Sequence, residues 1–234
     1  MTKYVTITSM DKTYYDRCGS VMISSYLKHM RNIPLHVYNE DYFVPTEKGI
    51  TLMGWDLGQD YRNFLNRHKN SRVKTFAKKA YSIIHAMNNI DCDRLIWIDA
   101  DCYISKTIPI SLLSEISDDK TLSTHFSVWH EKNGTTYHSC ETGFFILNKR
   151  HVGFNAFKEV YTNIYNKDKD AELRRFYDGE VYGKTVERML YRGYPVLNLN
   201  TGMHKTPISR SIIAPYIEHF KAGVKDRIKK DELK

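Results

Sequence analysis

A chain of 234 residues with 41% hydrophobic and 26% charged side chains has the composition of an ordinary globular protein and is long enough to bury one large core. Its formal charge of +8 favours encounter with polyanions such as nucleic acid, nucleotide phosphates or acidic lipid, and identifies none of them. No apolar run approaches the ~20 residues of a membrane span, MTKYVTITSM lacks a basic-then-apolar leader, and Cys18, Cys92, Cys102 and Cys140 form no CxxC pair. The expectation is a soluble chain in the reducing cytoplasm, without a zinc knuckle or redox pair. KKDELK contains KDEL, but Lys234 follows it, so it does not read as a retrieval signal.

Residues 4 to 9, YVTITS, are β-branched and apolar and predict a buried first strand. After the polar MDKTYYD, Val21, Met22, Tyr26, Leu27 and Met30 recur at helical spacing, which predicts a helix over 16 to 31. Pro34 then introduces LHVYN as a second strand, and this β-α-β order favours parallel strands joined by a right-handed crossover. Residues 40 to 72, dotted with Gly49, Gly54 and Gly58, show no clear period and read as loops and short helix. From 75 to 88, Phe76, Ala80, Ile83, Ile84 and Met87 trace one helical face, with Lys74, Lys78 and Lys79 near its start. LIWI follows, a continuous apolar run of the kind found in a central parallel strand covered on both faces. Strands are predicted at 121 to 129 and 143 to 148, then a helix from Val152 to near Tyr165 and the charged KDKDAELRR. A helix near 179 to 191, a strand at PVLNLN and a basic tail complete the chain. The fold class is α/β, and no repeat or low-complexity linker marks a second domain, so residues 1–234 are expected to form one domain.

The strand LIWI runs straight into Asp99 and Asp101. In open α/β sheets ligands bind beyond the carboxyl ends of the strands, so this pair lies where chemistry is usually placed. Two close anions repel unless a cation or proton sits between them, and a hard divalent metal takes carboxylate oxygens while leaving positions for phosphate. D-x-D is also frequent by chance: Asp91-Cys92-Asp93 matches it equally at the amino-terminal end of the same strand.

The order of six segments resembles a GT-A-fold glycosyltransferase, in the glycogenin-like (family 8-like) layout and similar to small bacteriophage enzymes of that build. YVTITSMDKTYY resembles the family's first strand and nucleotide-holding loop, SRVKTFAKKAYSI its donor-binding lysine helix, and LIWIDADCYI its metal-binding strand. SCETGFFILN resembles the segment on the acceptor side, and YDGEVYGKTV the stretch supplying a carboxylate near the transferred sugar. HFKAGVKDRI resembles the H-x-x-G-x-x-K element, with one extra residue between His and Gly and no Pro-Trp after the lysine.

The resemblance implies a Rossmann-like α/β/α sandwich with a mixed, mostly parallel sheet. Residues 1–110 would bind the nucleotide sugar, and 111–234 would supply the acceptor side and the carboxyl-terminal metal- and phosphate-binding segment. It implies Mn²⁺ or Mg²⁺ on Asp99, Asp101 and His219, and donor contacts from Thr6, Thr8, Tyr14, Lys79, Asp99, Gly223 and Lys225. Glu141 and Asp178 would be the catalytic carboxylates. The donor would be a nucleotide sugar, a UDP-sugar first, and the layout leans towards retention of configuration. The acceptor would be a glycan or, as phage enzymes of this kind allow, a hydroxymethylated pyrimidine in DNA, in the host cytoplasm if the chain is viral.

Each role has a plain alternative. His219 is also a surface histidine in a basic tail, Lys79 a solvated lysine, Glu141 a strand-leading polar residue, and Asp178 a helix N-cap. Two other functions compete for the whole chain. A haloacid-dehalogenase-type phosphatase would use Asp99 as nucleophile, although Cys102-Tyr103 replaces the usual Gly-Thr turn and no later strand ends in paired aspartates. A non-catalytic basic nucleic-acid-binding domain rests on charge alone.

Overall fold

The computed structural model describes residues 2–43, 45–132, 135–167, 173, 176–200 and 207–220, and their side chains except over 129–138. The first strand, β1 (Tyr4–Met10), is buried on both faces: Val5 and Ile7 enter one core, Tyr4 and Met10 the other. A short helix α1 (Lys12–Tyr14), capped by the Asp11 carboxylate accepting from the Tyr14 N–H at 2.7 Å, leads through a π turn over Tyr15–Gly19 into α2 (Ser20–Met30). The helix expected from residue 16 thus begins with a wider turn. β2 (Leu35–Asn39) lies parallel to β1, with Thr6 opposite Leu35 and Met10 opposite Asn39.

The stretch without a clear period holds β3 (Thr51–Met53), on the outer edge of β2, and α3 (Gln59–Arg67). α4 (Ser71–Asn89) starts four residues before the periodic face does. The cause is Asn70, whose side-chain oxygen accepts from the N–H groups of Arg72 and Val73 at 2.9 and 3.4 Å and so caps the first turn.

β4 (Arg94–Ile98) is the central strand anticipated from LIWI, parallel to β1 and completely buried. Leu95 and Trp97 enter the core shared with α3, α4, α6 (Phe154–Lys167) and α7 (Asp178–Tyr191), while Ile96 and Ile98 enter the core beneath α2 and α5 (Ile110–Ile116). Each such side chain contributes about 1.5–3 kcal/mol of burial, so β4 ties the two layers together. Beyond β5 (Cys102–Ile104), β6 (Ser123–Lys132) and β7 (Thr135–Glu141) form an antiparallel hairpin, and β8 (Phe144–Asn148) returns antiparallel to β4.

The sheet order is β3-β2-β1-β4-β8-β6-β7, with β9 (Val196–Asn198) added parallel to β6. Among the described residues six of these eight strands point one way, and β7 and β8 run against them. The result is the α/β/α sandwich with a mixed, mostly parallel sheet. A 3₁₀ turn at Ile208–Arg210 and β10 (Ile217–His219) follow, and β10 pairs antiparallel with β5 in a separate two-stranded sheet.

Among the described residues, the strands and α-helices that the sequence pattern does not announce are α1, β3, β5, β7, β10 and α5. Three of these strands are three residues long, too short to display a period, and exist because a distant partner supplies their hydrogen bonds.

Candidate active site

β4 ends at the same edge of the sheet as the parallel β1 and β2, and the chain turns there through Asp99, Ala100 and Asp101, closed by the Cys102 N–H donating to the Asp99 carbonyl at 3.0 Å. Trp97 and Asp99 are two residues apart and share a face, so the indole Nε1–H reaches Asp99 Oδ1 at 2.6 Å. The same oxygen accepts from Lys79 Nζ at 2.7 Å, and Lys79 lies on the α4 face covering this part of the sheet. Lys79 also donates to the Thr142 carbonyl and hydroxyl oxygens at 2.7 and 3.0 Å and sits 3.0 Å from Asp178 Oδ2. Thr142 in turn donates its hydroxyl proton to Asp178 Oδ2 at 2.6 Å. One buried ammonium thus links carboxylates 79 positions apart in the chain.

Burial alone would lower the Lys79 pKa, but Asp99 and Asp178 outweigh it and hold the lysine protonated, above its ordinary value. Burial pushes Asp99 above the usual carboxylate range; Lys79 opposes this, Asp101 adds to it and His219 opposes it again.

Asp101 is buried, and its Oδ2 accepts from the Tyr14 hydroxyl at 3.2 Å. His219 arrives from the far end of the chain because β10 pairs with β5, placing His219 opposite Cys102. The Phe220 N–H donating to the Asp101 carbonyl at 2.9 Å closes that pairing. His219 Nε2 then lies 3.1 Å from Asp101 Oδ1 and 3.9 Å from Asp99 Oδ2. Its Nδ1 lies 3.1 Å from Glu141 Oε1, at ion-pair distance but without hydrogen-bond geometry. Burial works against a charged imidazole, but Asp101 and Glu141 overcome it and lift the pKa to about 10. Gly143 makes room for the ring: a Cβ there would lie 2.8 Å from His219 Nδ1. Gly179 does the same for α7, whose first turn carries Asp178, since a Cβ would meet the Cys140 carbonyl oxygen at 2.5 Å.

Two clefts open on this cluster. The first, about 290 Å³, runs from Asp99 and Asp101 past Tyr14 and Lys79 to Asp11 and Glu40. The second, about 300 Å³, is walled by Val128, Glu141, Thr142 and Tyr177. Asp99, Asp178 and Phe76 belong to both, so the clefts meet at that junction.

Of the residues singled out in the sequence, Tyr14, Lys79, Asp99, Asp101, Glu141, Asp178 and His219 come together here. Thr6 and Thr8 do not, and this corrects the expectation that they touch the donor. Both are fully buried, and Thr6 Oγ1 accepts from the Tyr26 hydroxyl at 2.8 Å. Strand alternation turns them into the layer beneath α2, and the first residue of this segment to line the cleft is Ser9. Gly223 and Lys225 lie outside the described residues. Asp178 is the first residue of α7 rather than its cap, which is Tyr177, and Glu141 ends a strand rather than leading one.

Trp97, Thr142, Phe76, Glu40 and the Lys78 side chain belong to the site without a sequence signal of their own. Trp97 reads as core, and only its spacing of two from Asp99 hints otherwise. Thr142 sits inside the E-T-G segment without a role assigned to it.

Ligand atoms of Asp101, Cys102 and His219 lie within 4.8 Å of one another, a spacing that suits one ion. The Cys102 thiol is a poor member of the set: burial, helped by Asp101 and Asp99, pushes its pKa well above the ordinary value, and it donates to the Gly143 carbonyl at 3.5 Å. Asp99, Asp101 and His219 offer instead two hard oxygens and, once a cation displaces the imidazolium proton, one borderline nitrogen, a donor set that fits Mn²⁺ or Mg²⁺.

No family model and no curated protein matches this chain. Solved structures do. A glycosyltransferase involved in glycosylation of the major capsid of PBCV-1 is 15% identical, with 97% of this chain and 100% of that one covered at a TM-score of 0.53. The galactosyltransferase LgtC, in complex with donor and acceptor sugar analogues, is 14% identical over 94% of this chain and 87% of its own, with a TM-score of 0.56. The glycosyltransferase GlyE of Streptococcus pneumoniae TIGR4 is 13% identical over 96% of this chain, which spans 56% of its length, at 0.56. The chain has the GT-A glycosyltransferase fold.

Proposed function

We propose that the protein is a metal-dependent glycosyltransferase that moves a sugar from a nucleoside diphosphate sugar, a UDP-sugar first, to an acceptor hydroxyl. The observation that carries this reading is the convergence of Asp99, Asp101 and His219, from segments 118 positions apart, at the cleft end of the central strand. The solved glycosyltransferases of this fold support it, with LgtC holding donor and acceptor sugar analogues.

In this reading Asp99, Asp101 and His219 hold Mn²⁺ or Mg²⁺, which supplies a Lewis acid for the negative charge that develops on the departing diphosphate. The chain's own groups do the rest. Lys79, protonated and pinned between Asp99 and Asp178, fixes both carboxylates and adds positive charge beside the leaving group. The nucleoside occupies the first cleft and the acceptor the second, so that the transferred sugar crosses at Asp99, Asp178 and Phe76. Asp178 then faces the sugar and Glu141 the acceptor hydroxyl, whose proton a carboxylate within hydrogen-bond reach can take. Residues 1–110 supply most of the donor cleft and 111–234 the acceptor wall. Gly223 and Lys225 are assigned to the diphosphate on the segment resemblance, and retention of configuration on the glycogenin-like layout. An Asp99 phosphatase nucleophile is disfavoured by the fold, which is that of the glycosyltransferases above. No described helix is long and apolar enough to cross a membrane.

The test is release of nucleoside diphosphate from a panel of nucleotide sugars with and without Mn²⁺. A glycan and a DNA duplex carrying hydroxymethylated pyrimidines are offered side by side as acceptors, and the product's anomeric proton is read by NMR. Turnover that ignores both Mn²⁺ and Asp99→Asn/Asp101→Asn sinks the assignment.

A further inference from the structure

At the end of the first cleft away from Asp101, an ion pair stands in the wall. Glu40, the residue after β2, places Oε2 2.7 Å from Lys78 Nζ, with the two side chains 9% and 32% exposed. Both line the cleft, next to Ser9 and Asp11. We infer that Glu40 and Lys78 read the base of the donor nucleotide, Glu40 accepting a ring N–H and Lys78 donating to the adjacent ring carbonyl of a keto base, uracil or guanine. This rests on the glycosyl-transfer reading and adds to it the residues that select the nucleotide.

The placement follows from the fold. Lys78 and Lys79 are consecutive on α4, and a helical step of about 100° sends them to different strands. Lys79 meets Asp99 beyond β4, and Lys78 meets Glu40 beyond β2. β1 lies between those strands, so the two ion pairs are two strand spacings apart, about 10 Å. A nucleoside 5′-diphosphate spans such a distance with its phosphates at Asp99 and its base at Glu40.

Stability does not account for the pair. A half-buried ion pair recovers little more than its desolvation cost, and apolar side chains of like volume serve a wall as well. Recognition does account for it. A keto base presents an N–H beside a carbonyl, the complement of a carboxylate beside an ammonium. Cytosine and adenine present a ring lone pair beside an amino group, which would set Glu40 against an acceptor and Lys78 against a donor. Sites of this kind reject the mismatched ligand because their polar groups are left unpaired.

The test is calorimetric titration of UDP, GDP, CDP and ADP, in Mn²⁺, into the wild-type protein, Glu40→Gln, Lys78→Met and Lys78→Arg. Wild type is expected to bind UDP and GDP about 10-fold or more tightly than CDP and ADP, the worth of one charge-assisted hydrogen bond. That ratio should collapse towards one in Glu40→Gln and Lys78→Met and persist in Lys78→Arg, with melting curves showing that each variant is folded. Equal binding of all four by wild type overturns the inference and leaves glycosyl transfer standing, without need of any variant. A ratio that survives in both Glu40→Gln and Lys78→Met also overturns it. Binding of none of the four overturns the glycosyl-transfer reading, and this inference with it.

Discussion

The strand β4 carries the same tripeptide pattern at its two ends, and the ends behave differently. At the amino end, Asp91 is 95% exposed and pairs with the surface Lys3 at 2.6 Å, while Asp93 accepts from the Lys3 N–H at 2.8 Å and meets the exposed Arg150 at 2.5 Å. The Asp91–Lys3 contact is solvent-screened and worth little, and Asp93, although itself buried, meets only a backbone N–H and an exposed arginine, which hold the start of the strand. At the carboxyl end, Asp99 and Asp101 face Lys79 and His219 inside a cleft, with Glu141 and Asp178 close behind. Four carboxylates and two cations there share a poorly hydrated space, where each charge acts strongly on its neighbours. A D-x-D pattern therefore says little until strand direction and the surrounding layers are known.

The comparison breaks most visibly in activity. Asp99→Asn/Asp101→Asn should lower the rate of sugar transfer by about 1,000-fold or more, the scale of losing a Lewis acid at the leaving group. Asp91→Asn/Asp93→Asn should leave the rate unchanged in the same nucleotide-release assay. Equal losses in both double variants would mean that the carboxyl end has no special chemistry.

The two lysines sharpen the contrast in stability. Lys79→Met strands Asp99 and Asp178 without their shared cation and should cost about 3 kcal/mol in urea unfolding, the typical penalty for halving a buried pair. Lys3→Met removes only an exposed partner and should leave the unfolding midpoint where it was. A stable Lys79→Met protein would show that water, rather than the lysine, solvates these carboxylates.

Smaller effects test how His219 is placed. His219→Gln should weaken Mn²⁺ binding, measured by electron paramagnetic resonance, by at least the roughly 10–100-fold that losing a ligand's outer hydrogen-bond partner costs. Gly143→Ala should weaken it less, because the new methyl displaces the ring without deleting it. Unchanged Mn²⁺ affinity in both would remove the histidine from the proposed ligand set.

Local pattern in the amino-acid sequence determined a good part of this protein. The apolar run LIWI made β4 a central strand, helical spacing announced α2 and α4, with helices also expected where α6 and α7 lie, and the position of Asp99 and Asp101 after that run marked the cleft end. These signals are legible because burial on one or both faces imposes a period within a few residues. Tertiary structure decided the rest, since the groups concerned meet across long stretches of chain. His219 reaches Asp101 only through the β5–β10 pairing, Lys79 reaches Asp178 only because α4 and α7 cover the same face, and Glu40 finds Lys78 across a helix and a strand. Thr6 and Thr8 show the converse: they belong to the right segment, but strand alternation turns them into the core. A periodic pattern records which face of an element is buried, and a site depends on which distant faces are brought opposite one another.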